Sequence, residues 1–325
     1  MQYSIVIRTL GQAGEKYQRM LGCIENLRIK PNEVLVVIPN GFPLPKERLG
    51  FEQFIRSDKG MVRQRCVGGH AAKSKYILFL DDDLEFDSDF VDQLAEPIER
   101  GVADISFAWL PELLPQRKHI INSAIAGSAV PMLFNKQHNY LRILRSGGYA
   151  YNKDLKRDNG RYYYAQTAPG ACFLIKKNDF KEIHFEDELW LEANGYAMGE
   201  DQVFFYKAYC YGYKAMCVPS VRFVHLDAST STGGNFERVA FGAGWFKYIF
   251  WKRYIYEPDS KSFLRYVDAV AFCWCYYANV AINFLKSKIN KNKKVYLYHF
   301  KKGIKAAKGF TKSSEYEKLL KIQKK

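Results

Sequence analysis

The chain has 325 residues, which is long enough for one large domain or two smaller ones with a sizeable buried core. Apolar residues make up 48% of it and aromatic residues 16%, a composition that excludes a disordered chain. The net charge is +15, but residues 245–325 contain 19 Lys or Arg against 5 Asp or Glu, so the preceding part is close to neutral. This distribution favours an anionic partner, either a membrane leaflet or nucleic acid, although a solvated helical face would carry the same charges.

The seven cysteines are scattered along the chain and form no C-x-x-C pair. The first residues, MQYSIVIRTL, have a strand pattern and lack the charged and apolar segments of a secretory signal. We therefore expect reduced thiols in a cytosolic setting.

The first 110 residues alternate between strand and helix patterns. Apolar runs predict strands, and apolar residues three and four positions apart predict helices. The predicted strands are Gln2–Thr9, Glu33–Ile38, Tyr76–Leu80 and Asp104–Trp109. The predicted helices are Glu15–Leu27, Met61–Ala72 and Ser88–Arg100, the last capped by Ser88. This alternation predicts an α/β fold with a mostly parallel sheet flanked by helices.

The following stretch, Pro111–Tyr164, is rich in Gly, Asn, Tyr and basic residues and has weak periodicity. We expect an irregular region over the site, of the kind that selects a substrate. Regular patterns resume with a strand at Gly170–Lys176, a helix from Gly199 to Gly212 and a strand at Ala215–Pro219. The sequence thus divides into an α/β unit over residues 1–240 and an aromatic, basic, helical unit over residues 241–325.

Within this C-terminal unit, Val267–Leu285 is an apolar segment of 19 residues, close to the roughly 20 that cross a bilayer. Three polar residues on one helical stripe, Asp268, Asn279 and Asn283, weaken that interpretation. Aromatic residues with interleaved Lys and Arg precede the segment in Phe241–Tyr256, and a run rich in lysine follows it in Lys286–Lys294, which suits a membrane interface. The sequence predicts a peripheral or partly embedded helix, and a core helix of a C-terminal bundle is the alternative.

Three adjacent carboxylates, Asp81, Asp82 and Asp83, directly follow the apolar strand Tyr76–Leu80. In a parallel sheet, the ligand crevice lies outside the carboxyl ends of the strands. Adjacent carboxylates repel one another unless a cation neutralises them, and Mg²⁺ or Mn²⁺ binds through carboxylates together with substrate phosphates. The pattern favours a metal–diphosphate site. The alternative is an acidic turn that caps a helix, because further acidic residues follow.

Other candidate residues lie further along the chain. Glu200 and Asp201 begin a helix, where the macrodipole favours carboxylates, so they are either simple first-turn acids or a general base. His225 follows an apolar run and is either a packed histidine or a metal ligand. Arg65 is a candidate phosphate contact, while Arg63 has the character of a surface charge.

With these motifs, the chain resembles a family 2 glycosyltransferase with the GT-A fold. The order and spacing of several segments carry the resemblance, which covers about residues 2–226. Two opening strands, the run from Gly60 to Asp83, the strand at Gly170–Lys176 and the acidic motif Gly199-Glu200-Asp201 are similar to the family pattern. One departure is Ile38-Pro39-Asn40-Gly41, where the family usually has an acidic residue after the second strand, and Asp58 is the candidate that replaces it.

The resemblance implies a role for each matching residue. Asp83, with Asp81 and His225, would hold the metal, and Asp81 would also hydrogen-bond the ribose. Asp201 would be the catalytic base, with Glu200 beside it. The implied nucleotide-binding residues are Arg8, Thr9, Asp58, Arg65, Asp81 and Asp82.

The expected function is a Mn²⁺- or Mg²⁺-dependent, inverting transfer of a sugar from a UDP-, GDP- or dTDP-sugar to a hydroxyl of a glycan or lipid-linked acceptor. The expected setting is cell-surface polysaccharide synthesis at the inner, cytoplasmic face of the plasma membrane. One alternative is a sugar-nucleotide nucleotidyltransferase, but only Gly11-Gln-Ala-Gly14 represents the Gly-rich phosphate loop that this class needs. The other alternative is nucleic-acid binding by the basic region, which does not explain the acidic cluster.

Overall fold

The computed structural model of the protein describes residues 1–115, 117–226, 236–259 and 261–323. Residue 116 of the predicted irregular region, residues 227–235 after His225, and residues 260, 324 and 325 of the predicted C-terminal unit lie outside the described residues. The strands are β1 (Tyr3–Arg8), β2 (Glu33–Pro39), β3 (Gln53–Ser57), β4 (Tyr76–Asp81), β5 (Leu84–Phe86), β6 (Ile105–Ala108), β7 (Ala129–Pro131), β8 (Asn139–Ile143), β9 (Tyr149–Tyr151), β10 (Tyr163–Ala165), β11 (Cys172–Lys176), β12 (Ala215–Val218) and β13 (Phe223–His225).

The α-helices are α1 (Glu15–Glu25), α2 (Met61–Ala71), α3 (Phe90–Glu99), α4 (Arg117–Ile125), α5 (Lys177–Glu182), α6 (Glu200–Cys210), α7 (Phe236–Phe250), α8 (Ser262–Ser287), α9 (Lys291–Phe310) and α10 (Ser314–Glu317). Two 3₁₀ segments, Pro111–Leu113 and Phe185–Glu192, and a π-helical segment, Trp251–Tyr256, complete the described elements. Helix α3 begins after Asp89 rather than at the predicted cap Ser88.

Eleven of the described strands form one sheet in the order β3-β2-β1-β4-β11-β6-β12-β10-β8-β9-β7, and β13 pairs separately with β5. Within the described part of the large sheet, six neighbouring pairs are parallel and four are antiparallel. The central strands β1 and β2 are almost entirely buried because helices cover both faces, which explains their continuous apolar sequences. The predicted mostly parallel α/β architecture is confirmed.

Helices cover both faces of the sheet and bury two apolar clusters. On one face, α1 contributes Tyr17, Met20, Leu21 and Ile24, whose spacing of three and four residues forms one helical stripe. On the other face, α2 lies close to the sheet because Gly68 leaves no room for a side chain: a Cβ there would overlap Val6. This close approach brings the polar residues of α2 to the edge of the sheet where β1 and β4 end.

The prediction of an irregular region over 111–164 was wrong in part. This segment contains α4 and strands β7 to β9, and with β10 it extends the sheet beyond β12. Each of these strands has only three to five residues, too few for their alternation to stand out in the sequence. Strands β8 and β9 form a local hairpin, whereas β7 and β10 pair with strands further away in the sequence, so only the tertiary structure brings these short strands into the sheet.

The C-terminal helices pack on the sheet unit and share its larger apolar cluster. Helices α7 and α9 cross where two glycines meet: a Cβ on Gly244 would overlap the Phe300 carbonyl, and one on Gly303 would overlap the Phe241 carbonyl. The indole Nε1 of Trp245 donates to the Trp190 carbonyl at 2.9 Å, which fastens α7 to the sheet unit. The boundary proposed at residue 240 falls inside α7.

A buried cluster of charges also joins the C-terminal helices to the sheet unit. Glu188 is fully buried and accepts hydrogen bonds from the Arg253 guanidinium at 2.9 and 3.2 Å. Lys207 Nζ lies 3.0 Å from the same carboxylate. Burial alone would raise the pKa of Glu188, but Lys207 and Arg253 outweigh it and lower the pKa to about 2. Because a buried ion pair is costly to break, this cluster holds the two parts together.

The predicted helix over Val267–Leu285 is confirmed as part of α8. Its polar Asp268 faces inward, where the carboxylate accepts a hydrogen bond from Arg145 Nη1 at 2.7 Å. No helix in the described ranges is both long enough and apolar enough to cross a membrane. The neighbouring aromatic segment 241–256, expected at an interface, instead has Trp245, Trp251 and Tyr254 buried in the core.

Candidate functional site

The candidate site lies at the carboxyl ends of β1 and β4, which are parallel neighbours with Arg8 in register with Asp81. The chain leaves both strands at this edge, so polar side chains follow each apolar run. The start of α6 reaches the same edge, because Arg8 and Arg65 contact its first two residues. The structure thereby assembles side chains that lie almost 200 residues apart in sequence.

The first aspartate of the triplet, Asp81, is half-buried and paired with Arg8. Arg8 Nε donates to Asp81 Oδ1 at 2.7 Å, and Arg8 Nη1 donates to Glu200 Oε1 at the same distance. Although burial acts to lower the pKa of Arg8, the carboxylates of Asp81 and Glu200 raise it well above its usual value. Arg8 is therefore a permanent cation that links the aspartate triplet to the start of α6.

The second aspartate, Asp82, points into the protein and pairs with Thr9. The Thr9 hydroxyl donates to Asp82 Oδ2 at 2.5 Å and accepts from the Gly11 backbone N–H at 2.9 Å. Burial raises the pKa of Asp82 to about 6, with a smaller contribution from Asp83 and Asp81 and with the Thr9 hydrogen bond acting in the opposite direction. This hydrogen bond thus fixes the orientation of the Thr9 and Asp82 side chains at the ends of β1 and β4.

The third aspartate, Asp83, contacts His225. His225 Nε2 lies 3.3 Å from Asp83 Oδ1, and the Asp83 carbonyl accepts from the Leu226 backbone N–H at 2.8 Å. The pairing of β13 with β5 sets His225 opposite Leu84 and so next to Asp83. A strand pairing that was not evident in the sequence therefore joins two of the predicted metal ligands.

The donor set of this pair fits a divalent cation in part. Asp83 offers a carboxylate and His225 an imidazole nitrogen, both of which are metal ligands in proteins. Across the described ranges, no three His, Cys, Asp or Glu side chains converge in a complete ligand set. Mn²⁺ and Mg²⁺ sites often take only one or two ligands from the protein and the remainder from phosphates and water, so two protein ligands are sufficient.

The second carboxylate pair, Glu200 and Asp201, occupies the first turn of α6 and shares one arginine. Arg65 Nη1 is paired with Glu200 Oε2 and lies 3.1 Å from Asp201 Oδ1, while Arg65 Nη2 donates to the Gly170 carbonyl at 2.9 Å. The two carboxylates differ in access, because the Glu200 side chain is 2% exposed and the Asp201 side chain 32% exposed. Only Asp201 can meet a group that arrives from solvent.

The electrostatics separate these two carboxylates further. Burial raises the pKa of Glu200 to about 8, against the opposing effect of Arg65. Burial would also raise the pKa of Asp201, but Arg65 and Arg8 outweigh it and lower that pKa. Neighbouring carboxylates whose pKa values are moved apart in this way are typical of acid–base sites. Near neutral pH, Asp201 is the ionised member that can accept a proton.

Glycines hold Asp201 in place. A Cβ on Gly170 would overlap the Asp201 carboxylate, so the absence of a side chain at 170 makes room for it. Gly199, which precedes α6, has a left-handed φ of 74°, and a Cβ there would also overlap the Phe246 ring of α7. The C-terminal helices therefore contact the turn that presents the candidate base.

The remaining predicted residue, Asp58, lies apart from this network. Its exposed side chain follows β3 and is 3.4 Å from Arg63 Nη1. Two residues of this edge were not predicted from the sequence. Gln64 is buried, and its Nε2 donates to the Thr9 and Val37 carbonyls at 3.1 and 2.8 Å. The Glu192 carboxylate accepts from the first N–H groups of α2. A glutamine on the buried side of a helix was a usable signal, whereas Glu192 gave none.

Comparison with known proteins gives a family match over part of the chain. Residues 53–183 match the family model described as glycosyl transferase family 2. This range includes β4, the aspartate triplet and Gly170. Over it, the chain carries the sequence pattern of a glycosyltransferase. No curated protein matches the chain by sequence.

Two solved structures resemble the fold. The crystal structure of GalNAc-T7 with UDP, GalNAc and Mn²⁺ has 17% sequence identity and a TM-score of 0.50, and the likeness covers 86% of this chain and 55% of that one. The mannosyltransferase PcManGT from Pyrobaculum calidifontis, in complex with GDP-Man and Mn²⁺, has 12% identity and a TM-score of 0.47, with 93% and 86% covered. The chain thus spans about half of the GalNAc-T7 structure, and it has the GT-A fold with a helical C-terminal region.

Proposed function

We propose that the protein is a metal-dependent, inverting glycosyltransferase that moves a sugar from a nucleoside diphosphate donor to an acceptor hydroxyl. The family match over residues 53–183 supports glycosyl transfer. The observation that carries the proposal is the accessible, ionised carboxylate of Asp201, held by Arg65 at the same sheet edge as the aspartate triplet. One carboxylate base and one anionic leaving group are what a single displacement at a sugar carbon requires.

The donor side of this mechanism uses the aspartate triplet. Asp83 and His225 would hold Mn²⁺ or Mg²⁺ on the donor diphosphate, with Asp81 as a further ligand or as the ribose contact. When bound, the ion supplies positive charge that stabilises the departing nucleoside diphosphate. Hydrogen bonds that Thr9 makes with Asp82 and Gln64 fix the backbone at the end of β1. They would therefore position the part of the crevice that binds the nucleotide.

The acceptor side uses Asp201. Its carboxylate removes the proton of the acceptor hydroxyl while the hydroxyl oxygen attacks the anomeric carbon from the face opposite the diphosphate. The bond from the anomeric carbon to the phosphate oxygen breaks, the nucleoside diphosphate leaves, and the configuration at that carbon inverts. The proton ends on Asp201.

Arg65 is a positioning residue in this mechanism, because its guanidinium is buried and contacts three groups of the protein. It holds Asp201 and Glu200 and donates to the Gly170 carbonyl, and it keeps Asp201 ionised by lowering its pKa. Arg8 extends the same chain of charges to Asp81. Binding of the donor at Asp81 can therefore affect the position and charge of Asp201. The contacts that link the two aspartates run through Arg8, Glu200 and Arg65.

We propose a glycan or lipid-linked acceptor, cell-surface polysaccharide synthesis and a place at the inner face of the plasma membrane. The C-terminal concentration of basic charge supports a negatively charged surface near the enzyme. Asp58, on the surface after β3, is the proposed contact for the nucleotide base.

A donor screen tests the proposal. The protein is incubated with UDP-, GDP- and dTDP-sugars, with Mn²⁺, Mg²⁺ or a chelator, and released nucleotides are identified by mass spectrometry. We expect one donor class to release nucleoside diphosphate only when metal is present. Release of pyrophosphate from a nucleoside triphosphate and a sugar phosphate would instead identify a nucleotidyltransferase, and an absence of metal-dependent nucleotide release from every donor would refute the proposal.

A further inference from the structure

One side of α8 is an uncovered aromatic surface. Its members recur every three, four or seven residues, so they lie along a single stripe of the helix. They are Phe263, Tyr266, Val270, Trp274, Tyr277 and Phe284, and all are exposed. The stripe, called here the aromatic face of α8, runs along about 30 Å of a helix of 26 residues. An apolar surface of this length is typical of a site that binds a partner.

The opposite side of α8 is firmly packed, so the aromatic face is a consequence of how the helix is held. Asp268, Phe272 and Cys275 are buried against the rest of the molecule. Arg145 holds Asp268, and the Trp251 indole donates to the Asp268 carbonyl at 3.2 Å. Rotating α8 to hide its aromatic residues would break these contacts.

The aromatic face continues onto α4. The Trp274 indole Nε1 donates to the Ile125 carbonyl at 2.8 Å, which joins the two helices. Ile121 and Ile125 are exposed large apolar residues of α4. Helix α4 follows β6, which is parallel to β12 and ends at Ala108. The apolar surface thus extends from the C-terminal helices to the segment that follows a core strand.

Basic residues surround the aromatic face at both ends. Exposed Lys261 and Arg265 lie at its beginning. At its end, the Lys288 ammonium sits over the Phe284 ring, 4.7 Å from the ring centre. Ten lysines and no acidic residue occur between Lys286 and Lys312. Aromatic rings next to lysines match a lipid headgroup region, where the rings enter the boundary with the acyl chains and the ammonium groups meet phosphates.

We propose that the aromatic face of α8 docks on an anionic lipid bilayer, with the helix lying along the surface. A second copy of the chain is the competing occupant of an apolar helix face. Self-pairing would bring two basic regions together, because both ends of the face carry Lys or Arg, and like charges at an interface are costly. An anionic surface turns the same charges into an attraction worth roughly 1 kcal/mol per basic residue close to the surface.

Vesicle flotation tests this surface with the full chain. The vesicles are phosphatidylcholine alone or phosphatidylcholine with phosphatidylglycerol. We expect the wild-type protein to float with the anionic vesicles and to be released by salt. The double variant Phe263→Ser/Tyr266→Ser, at positions 73% and 68% exposed, should bind about tenfold more weakly. The matched control is Phe51→Ser, which removes an exposed aromatic residue (54% exposed) outside α8. This variant should bind the vesicles like wild type.

Tryptophan fluorescence identifies the inserted side. Trp274 is exposed and Trp109 is half-buried, whereas Trp190, Trp245 and Trp251 are buried. Phosphatidylcholine with brominated acyl chains, mixed with phosphatidylglycerol, should quench the wild-type emission. The variant Trp274→Phe should lose most of this quenching and still float. If brominated lipid quenched both proteins equally, the proposed orientation would be wrong.

Three outcomes would overturn the proposal: no binding of the wild-type chain to anionic vesicles, equal binding by the double variant, or a solution dimer that the double variant dissociates. Preference for an oligonucleotide over anionic vesicles would also contradict it. The vesicles contain neither donor nor acceptor, so this test is independent of glycosyl transfer. A chain that releases nucleoside diphosphate from a donor but ignores vesicles would refute the docking surface alone.

Discussion

Replacing Asp201 by Asn separates catalysis from binding more sharply than any other single change. The amide keeps the size of the side chain but cannot take a proton from an acceptor hydroxyl. Loss of a general base lowers the rate by about 100- to 10,000-fold, equivalent to roughly 3 to 5 kcal/mol in the barrier. Asp201→Asn should therefore abolish most of the transfer activity.

The structure predicts that Asp201→Asn leaves the fold almost unchanged. Asp201 is one of three partners of Arg65, and Glu200 and the Gly170 carbonyl remain after the change. A partly exposed ion pair contributes on the order of 1 kcal/mol or less, so the midpoint of thermal unfolding should fall by only a few degrees. Glu200→Gln is different, because Glu200 Oε1 faces Arg8 and Oε2 faces Arg65, and the amide would turn its N–H₂ group towards one of these donors. It should lower the midpoint of thermal unfolding more than Asp201→Asn does.

The assay pairs transfer with donor binding. Transfer is followed as nucleoside diphosphate release in the presence of acceptor, and donor binding is measured by calorimetry with Mn²⁺. Asp201→Asn should bind the donor within about threefold of wild type, a difference below 1 kcal/mol. Glu96→Gln, at an exposed carboxylate of α3 paired with Arg100, is the surface control for loss of a carboxylate. Transfer by Asp201→Asn at the wild-type rate would refute the assignment of the base.

Three further changes test other parts of the molecule. Asp83→Ala should remove the thermal stabilisation that nucleoside diphosphate and Mn²⁺ give together, because the proposed ion loses its carboxylate. Gly170→Ala should lower kcat by about tenfold to 100-fold by displacing Asp201 while donor affinity holds, whereas Gly22→Ala, which meets only open space, should leave kcat unchanged. Because the pKa of Glu188 falls from about 4.5 to about 2 on folding, its stabilisation is complete above pH 4.5 and is lost towards pH 2. Urea unfolding across this range should show a loss of about 3 kcal/mol that is reduced in Glu188→Gln.

Local patterns in the sequence were sufficient for the central elements. The apolar runs of β1, β2 and β4 differ from predicted bounds by one or two residues, and so does α1, because burial on both faces or on one stripe leaves a strong periodic signal. The position of the aspartate triplet at the edge of the sheet follows from the same signal. These features depend on neighbours in sequence, so sequence reasoning could reach them.

Pairings between distant segments were beyond that reasoning. Strand pairing of β13 with β5 brings His225 to Asp83, and α2 brings Arg65 to residues 135 and 136 positions away. The short strands β7 to β10 also lacked a local signal, since three to five residues cannot define a period. Apart from the hairpin of β8 and β9, each of these pairings depends on a partner that cannot be chosen from sequence spacing alone.

The sequence by itself determined the α/β class, the acidic edge after β4 and the basic character of the C-terminal region, because composition and periodicity are local properties. Only the tertiary structure decided that Asp201 is accessible while Glu200 is buried, and that Arg65 holds both. It also decided which aromatic residues face outward: those of 241–256 are buried or half-buried, while α8 keeps an exposed stripe. The physical reason is that exposure and charge pairing depend on which surfaces meet in space. The spacing of residues along a helix does not decide which side of that helix is covered.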